Sequence, residues 1–171
     1  MAIVFKPVTR LDVYNKKEYS AKRIFLGGSI DMGSSIDWQN DITSKIGDRD
    51  CYIFNPRRTE WDSSWEQHIS NDNFRGQVEW ELDNLDQSDI IVFNILPDSK
   101  SPITLMEIGL FIKAKNKKIF ICCPPEFYRS GNVQIVCDRY NIPLYENYDD
   151  MVNDLLSFLD DTALVAHFLD V

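Results

Sequence analysis

Asp89-Ile-Ile-Val-Phe-Asn94 decides the fold. The stretch is a continuous apolar run with no polar alternation. A strand with one wet face alternates apolar and polar residues. An unbroken run fits a strand buried on both faces of a parallel sheet. Outward from it lie similar runs: Arg23-Ile-Phe-Leu-Gly27, Cys51-Tyr-Ile-Phe54 ending in Asn55-Pro56, and Lys118-Ile-Phe-Ile-Cys122 stopped by Pro124-Pro125. Ile142-Pro-Leu-Tyr145 is a weaker fifth.

Amphipathic segments separate these runs. Residues 36–46 carry Ile36, Ile42 and Ile46; residues 74–85 place Val78, Leu82 and Leu85 on one face; residues 104–115 pack Leu105, Ile108, Leu110 and Phe111. Segments 133–140 and 148–159 complete the set. Strand and helix in alternation predict an α/β, doubly wound, three-layer sandwich of flavodoxin-like or Rossmann-like type, with roughly five parallel strands. Residues 1–22 read as an extended N-terminal arm, 23–160 as the domain and 161–171, with 163–171 apolar, as a C-terminal tail.

The length of 171 residues suits one domain with a full core. A formal net charge of −9 disfavours a nucleic-acid polymer as partner, because a uniformly acidic chain repels a phosphate backbone. No apolar run approaches the roughly 20 residues that span a bilayer, and the N-terminus does not resemble a signal peptide. Cys51, Cys122, Cys123 and Cys137 lack zinc-ligand spacing and read as buried free thiols of a reducing compartment. A cytoplasmic protein with no membrane partner is expected. No metal site is indicated, since the carboxylates lie on separate elements without His or Cys company.

Open parallel sheets hold ligands beyond the carboxyl ends of their strands. Those ends carry Gly27-Gly28-Ser29-Ile30-Asp31, then Asn55-Pro56-Arg57-Arg58, then Asn94 with a loop to Ser101, then Pro124-Pro125 with Tyr128 to Asn132. The glycines allow a ligand to approach the backbone, or else make a plain tight turn. The connection 55–72 is long and holds Arg57, Arg58, Trp61, Trp65 and His68, so it is a candidate binding loop. Glu107 stands among apolar residues near a helix start, where an unpaired carboxylate is expensive to bury. It is a candidate catalytic group, against the plainer reading of a structural glutamate. Glu79, Glu81 and Asp83 form an acidic group on the preceding helix that reads first as a solvated face.

Phe25-Leu-Gly-Gly-Ser-Ile30, Asp89-Ile-Ile-Val-Phe93 and Met106-Glu-Ile-Gly109 together resemble the nucleoside 2-deoxyribosyltransferase superfamily over roughly residues 22–160. Arg129-Ser-Gly-Asn-Val133 and Ile142-Pro-Leu-Tyr145 resemble its transferase-like branch. The resemblance implies that Glu107 attacks C1′ of the sugar and that the nucleobase leaves, as in retaining glycosidases. It implies a carboxylate at Glu81, where the family has aspartate, to handle the base. It implies substrate contacts from Gly28, Ser29, Ile30, Asn55, Arg57, Asn94, Ser101 and Asn132, no cofactor, and a homodimer or larger homo-oligomer in which Ser101 or Asn132 acts across subunits.

Ser101 replaces the acidic residue that transferases carry six positions before the nucleophile. Related deoxynucleotide N-glycosidases have serine there, and serine donates to a phosphate that aspartate would repel. The substitution tilts the expected substrate toward a nucleoside 5′-monophosphate, unless Asp98 supplies the missing carboxylate. The expected function is cleavage or exchange of the N-glycosidic bond of a (deoxy)nucleoside or its 5′-monophosphate. A non-catalytic nucleotide-binding module on the same fold is the alternative. Phosphoribohydrolase-type chemistry is disfavoured, because its Pro-Gly-Gly-x-Gly-Thr-x-x-Glu element is absent.

Overall fold

A computed structural model describes residues 1–7, 21–31, 34–58 and 64–169. Six parallel strands form one sheet in the order β1-β3-β2-β4-β5-β6. They are β1 (Ile3–Phe5), β2 (Lys22–Gly28), β3 (Cys51–Phe54), β4 (Ile90–Asn94), β5 (Lys118–Cys122) and β6 (Leu144–Tyr145). The helices are α1 (Trp38–Lys45), α2 (Asp72–Gln87), α3 (Pro102–Phe111), α4 (Ser130–Tyr140) and α5 (Tyr148–Leu169). The expected five strands thus become six. The addition, β1, pairs with β3 at the sheet edge through Ile3↔Tyr52 and Phe5↔Phe54. Its three residues are too short a run for a period of two to declare itself in sequence.

The unbroken apolar runs divide between two cores, as a period-two strand covered on both sides requires. Phe25, Phe54, Ile91, Phe93, Ile119 and Ile121 face α2, α3 and α4. Ile24, Leu26, Ile53, Ile90, Val92 and Phe120 face α1 and α5. Each such side chain, fully withdrawn from water, contributes about 1.5–3 kcal/mol before chain entropy is counted. All four cysteines are buried and free. Among the described residues no helix is long and apolar enough to cross a membrane.

Two helices bury different faces from those expected. In α2 the covered residues are Gln77, Trp80, Asn84 and Leu85, while Leu82 is exposed. Trp80 takes the core position against Phe25 and Phe54, and its larger area wins over leucine. In α3 the inner face is Thr104, Glu107, Ile108 and Phe111, while Leu110 faces outward with Ile103 and Met106. Ile36 is also exposed and precedes α1, which begins after Asp37; the Asp37 side chain accepts from Asn40 N. The expected tail from 163 is helical as far as Leu169, within α5.

At the amino edge of the sheet, Arg23 clamps β2 to β4. Its Nε and Nη2 donate to the two Asp89 carboxylate oxygens at 2.9 and 2.6 Å, and its backbone N–H donates to Oδ2 at 2.9 Å. Beside it, Lys117 Nζ donates to the carbonyls of Asp86 and Ser88.

Candidate active site

Strand order reverses between β2 and β4, because the chain passes from β2 outward to β3 and then returns to the other side of β2. The connections after β2 and β4 leave toward opposite faces of the sheet, to α1 and α3, and the crevice at such a reversal is where these sheets bind ligands. Gly28 pairs with Asn94 across it. The space a Gly28 side chain would need is already filled: a Cβ would lie 2.2 Å from the Asn94 carbonyl oxygen and 2.8 Å from the Trp38 ring, and φ is +147°. The glycine therefore serves the close approach of the protein's own backbone. Asn94 is buried, with its Nδ2 unpartnered among the described residues.

Three serines meet at this crevice. Ser29 Oγ lies 2.7 Å from Ser101 Oγ, which lies 2.7 Å from Ser99 Oγ, which donates to Asp31 Oδ1 at 2.8 Å. Leu96 N–H donates to Ser29 Oγ at 2.9 Å. Ser101 occupies the N-cap of α3 with φ +43° and makes no side-chain cap. A capping serine ordinarily stabilises a helix by about 1 kcal/mol. Here its hydroxyl is drawn into the serine chain instead, a local rule broken at a candidate site. Ile30, half-buried, follows Ser29. Asp98 is exposed and makes no hydrogen bond among the described residues.

Glu107 sits six residues into the same helix, on its buried face, 6% exposed. Helical side chains lean toward the amino end, which brings its carboxyl back toward the crevice. It makes no hydrogen bond among the described residues. Burial pushes its pKa up to about 8, and the neighbouring Glu81 charge adds to the shift. Burial also pushes Glu81 up to about 7, against the pull of Gln77 and Arg58. Two carboxyl groups raised above the ordinary glutamate range and close enough to interact electrostatically can divide a proton between a nucleophilic and an acidic role.

Glu81 is held by Gln77, which the sequence did not single out, and through it by Arg58 of the long loop. Gln77 Nε2 donates to Glu81 Oε1 at 2.6 Å and to the Pro56 carbonyl at 3.2 Å. Arg58 Nε donates to Gln77 Oε1, and its guanidinium lies over the Trp65 ring at 5.2 Å. The acceptor side of the Gln77 amide faces Arg58, so its donor side must face Glu81. The only sequence signal was the i, i+4 spacing of Gln77 and Glu81.

Other expected residues are engaged elsewhere. Arg57 donates to the Ser35 carbonyl at 2.7 Å and the Ile36 carbonyl at 3.0 Å, tying two loops together. Asn55 Oδ1 accepts from Arg57 N–H at 2.9 Å, which shapes its own turn. Both side chains thus satisfy backbone groups of the loops around the crevice, which need partners of their own. Asn132 is exposed on α4 and is brought to neither cluster. His68 is exposed and bonded to Ser70. Tyr128 is exposed against Phe127. Trp61 lies outside the described residues. A cavity of about 340 Å³ lined by Trp38, Asn94, Leu96 and Tyr148 adjoins the crevice through Asn94 and Leu96. Among the described residues no group of three or more His, Cys, Asp or Glu is poised to hold a metal ion.

Curated proteins include none that matches the chain. The family described as "nucleoside 2-deoxyribosyltransferase like" matches residues 21–127, from the start of β2 through the loop after β5, and so includes the serine chain, Glu81 and Glu107. With that match over more than half its length, on a doubly wound sheet, the chain belongs to the nucleoside 2-deoxyribosyltransferase-like family.

Proposed function

We propose that the protein cleaves or exchanges the N-glycosidic bond of a (deoxy)nucleoside or its 5′-monophosphate, with Glu107 as nucleophile and Glu81 as the group that handles the base proton. The observation that carries this reading is the pair of buried Glu107 and half-buried Glu81, both raised above the ordinary glutamate range, at the carboxyl edge of the sheet. Attack requires Glu107 as carboxylate and departure of the base requires a proton; because Glu107 is raised further than Glu81, the shared proton must pass from Glu107 through Glu81 to the base. Arg58 and Gln77 both favour charge on Glu81, so proton release from Glu81 to the base leaves a carboxylate they stabilise. The glycosyl-enzyme is then resolved by a second base or by water.

Incubation with a 2′-deoxynucleoside or its monophosphate, with and without a second free base, tests the reading. Base release without acceptor marks hydrolysis; exchange only with acceptor marks transfer. Ligand binding without either, unchanged by Glu107→Ala, would leave a binding module. A ligand-bound structure is expected to put C1′ within about 3–3.5 Å of a Glu107 oxygen.

The same reading includes a homo-oligomer. Ile103, Met106 and Leu110, each more than half exposed, form a stripe at helical spacing on the outer side of α3. Such a stripe on the helix that carries Glu107 suits a second copy of this chain. Leu110→Glu is expected to lower the mass seen by analytical ultracentrifugation.

A further inference from the structure

We propose that Asp31 is a specificity-determining residue that turns the serine cluster away from a 5′-phosphate and toward a sugar 5′-hydroxyl. The proposal rests on the glycosidic reading of the site and names which of its two substrate classes is preferred. Hydroxyl protons can be counted along the chain of serines. The Asp31 carboxylate only accepts, so Ser99 spends its one proton on Asp31. Ser101 must then donate to Ser99, and Ser29 must donate to Ser101. The Leu96 N–H fills one acceptor position of Ser29. No serine has a proton left to give, while each keeps acceptor capacity.

A 5′-phosphate needs donors and meets none from these hydroxyls; it also approaches a carboxylate at the end of the chain. A 5′-hydroxyl brings its own proton and finds lone pairs. The N–H groups of Ile103 and Thr104 at the start of α3 favour an anion, so the preference depends on Asp31 keeping the serines committed. Serine at position 101 therefore does not by itself select a phosphate: its hydrogen bonds set what it presents. The carboxylate missing from that position is supplied to the cluster from the loop after β2.

Binding of the four common 2′-deoxynucleosides and their 5′-monophosphates, measured by calorimetry on the full chain, tests the proposal. The wild type is expected to favour the nucleosides. Asp31→Ala frees the Ser99 proton and removes the charge; it should shift the affinity ratio toward monophosphates roughly tenfold or more. Asp31→Asn retains an acceptor for Ser99 and tolerates positive φ, so its shift should be smaller. Ser99→Ala frees the Ser101 proton with Asp31 intact and should shift the ratio the same way. A wild type that favours monophosphates, a ratio unmoved by Asp31→Ala and Ser99→Ala, or binding of neither class overturns the proposal. Base release is read separately. A moving ratio without base release removes the glycosidic reading and leaves the role of Asp31 standing; base release with an unmoved ratio does the reverse.

Discussion

The two edges of the sheet treat carboxylates in opposite ways. At the amino edge, burial alone would raise Asp89, but the Arg23 guanidinium and N–H outweigh it and hold the carboxyl below its usual range. At the carboxyl edge, burial raises Glu107 to about 8 with no cation beside it. The same functional group thus fastens β2 to β4 at one end and is left unpaired at the other. A paired charge stabilises the fold. An unpaired one destabilises it and is retained where chemistry needs a group that titrates near neutrality.

The most severe way to break this contrast is Glu107→Gln. If Glu107 is the nucleophile, base release should fall by about a thousandfold or more, read by chromatography of the freed base. The same change should stabilise the fold at pH 8 by on the order of 2 kcal/mol, measured by urea unfolding. The sign follows from the raised pKa. The folded state holds more protons than the unfolded one between the ordinary glutamate range and about pH 8, so wild-type stability should fall as pH rises through that window. A variant that is inactive but no more stable would mean that Glu107 has a partner in solution.

Gly28→Ala tests whether the crevice is held by backbone contact. Its Cβ would strike the Asn94 carbonyl, so β2 and β4 must part at Gly28↔Asn94. A loss of about 2–4 kcal/mol in unfolding free energy is expected. A neutral result would mean that the two carboxyl ends separate readily.

Glu81→Gln sharpens the electrostatics. It removes the second cause of the Glu107 shift and leaves burial, the larger one. The Glu107 titration, followed by carboxyl carbon NMR, should move down yet stay above an ordinary glutamate. No movement would separate the two side chains in solution.

Asp89→Asn is the mildest test, because the clamp is partly exposed and screened by water. About 1 kcal/mol of stability should be lost at neutral pH. Because the folded pKa is depressed, this contribution is present above the unfolded value and disappears as pH falls through the folded one, so variant and wild type should converge in acid. Convergence at alkaline pH instead would reverse the contrast between the edges.

The sheet was largely legible because its signal is local. Phe25, Ile91, Phe93 and Ile121 declare strands buried on both sides wherever they occur in such runs. Helix faces were less legible: Trp80 displaced Leu82, and Leu110 turned outward. Period alone does not say which of two neighbouring apolar stripes meets the sheet. The candidate site was legible in part. Glu107 and Ser101 stood out by position, Arg57 and Asn55 hold backbone groups, Arg58 and Asp31 were legible only as members of loops, and Gln77 and Ser99 went unnoticed.

By itself the sequence determined the α/β sandwich, the edge at which chemistry should lie, and a glutamate out of place among apolar residues. These follow from periodicity and from the cost of burying charge, both written in adjacent residues. Only the tertiary structure decided which groups meet: Glu81 with Glu107, Gln77 between Arg58 and Glu81, and Asp31 at the end of three serines. Apart from the i, i+4 contact of Gln77 with Glu81, those meetings join groups far apart in the chain or brought together by loops, and hydrogen-bond direction and pKa depend on short distances in space that local spacing does not encode.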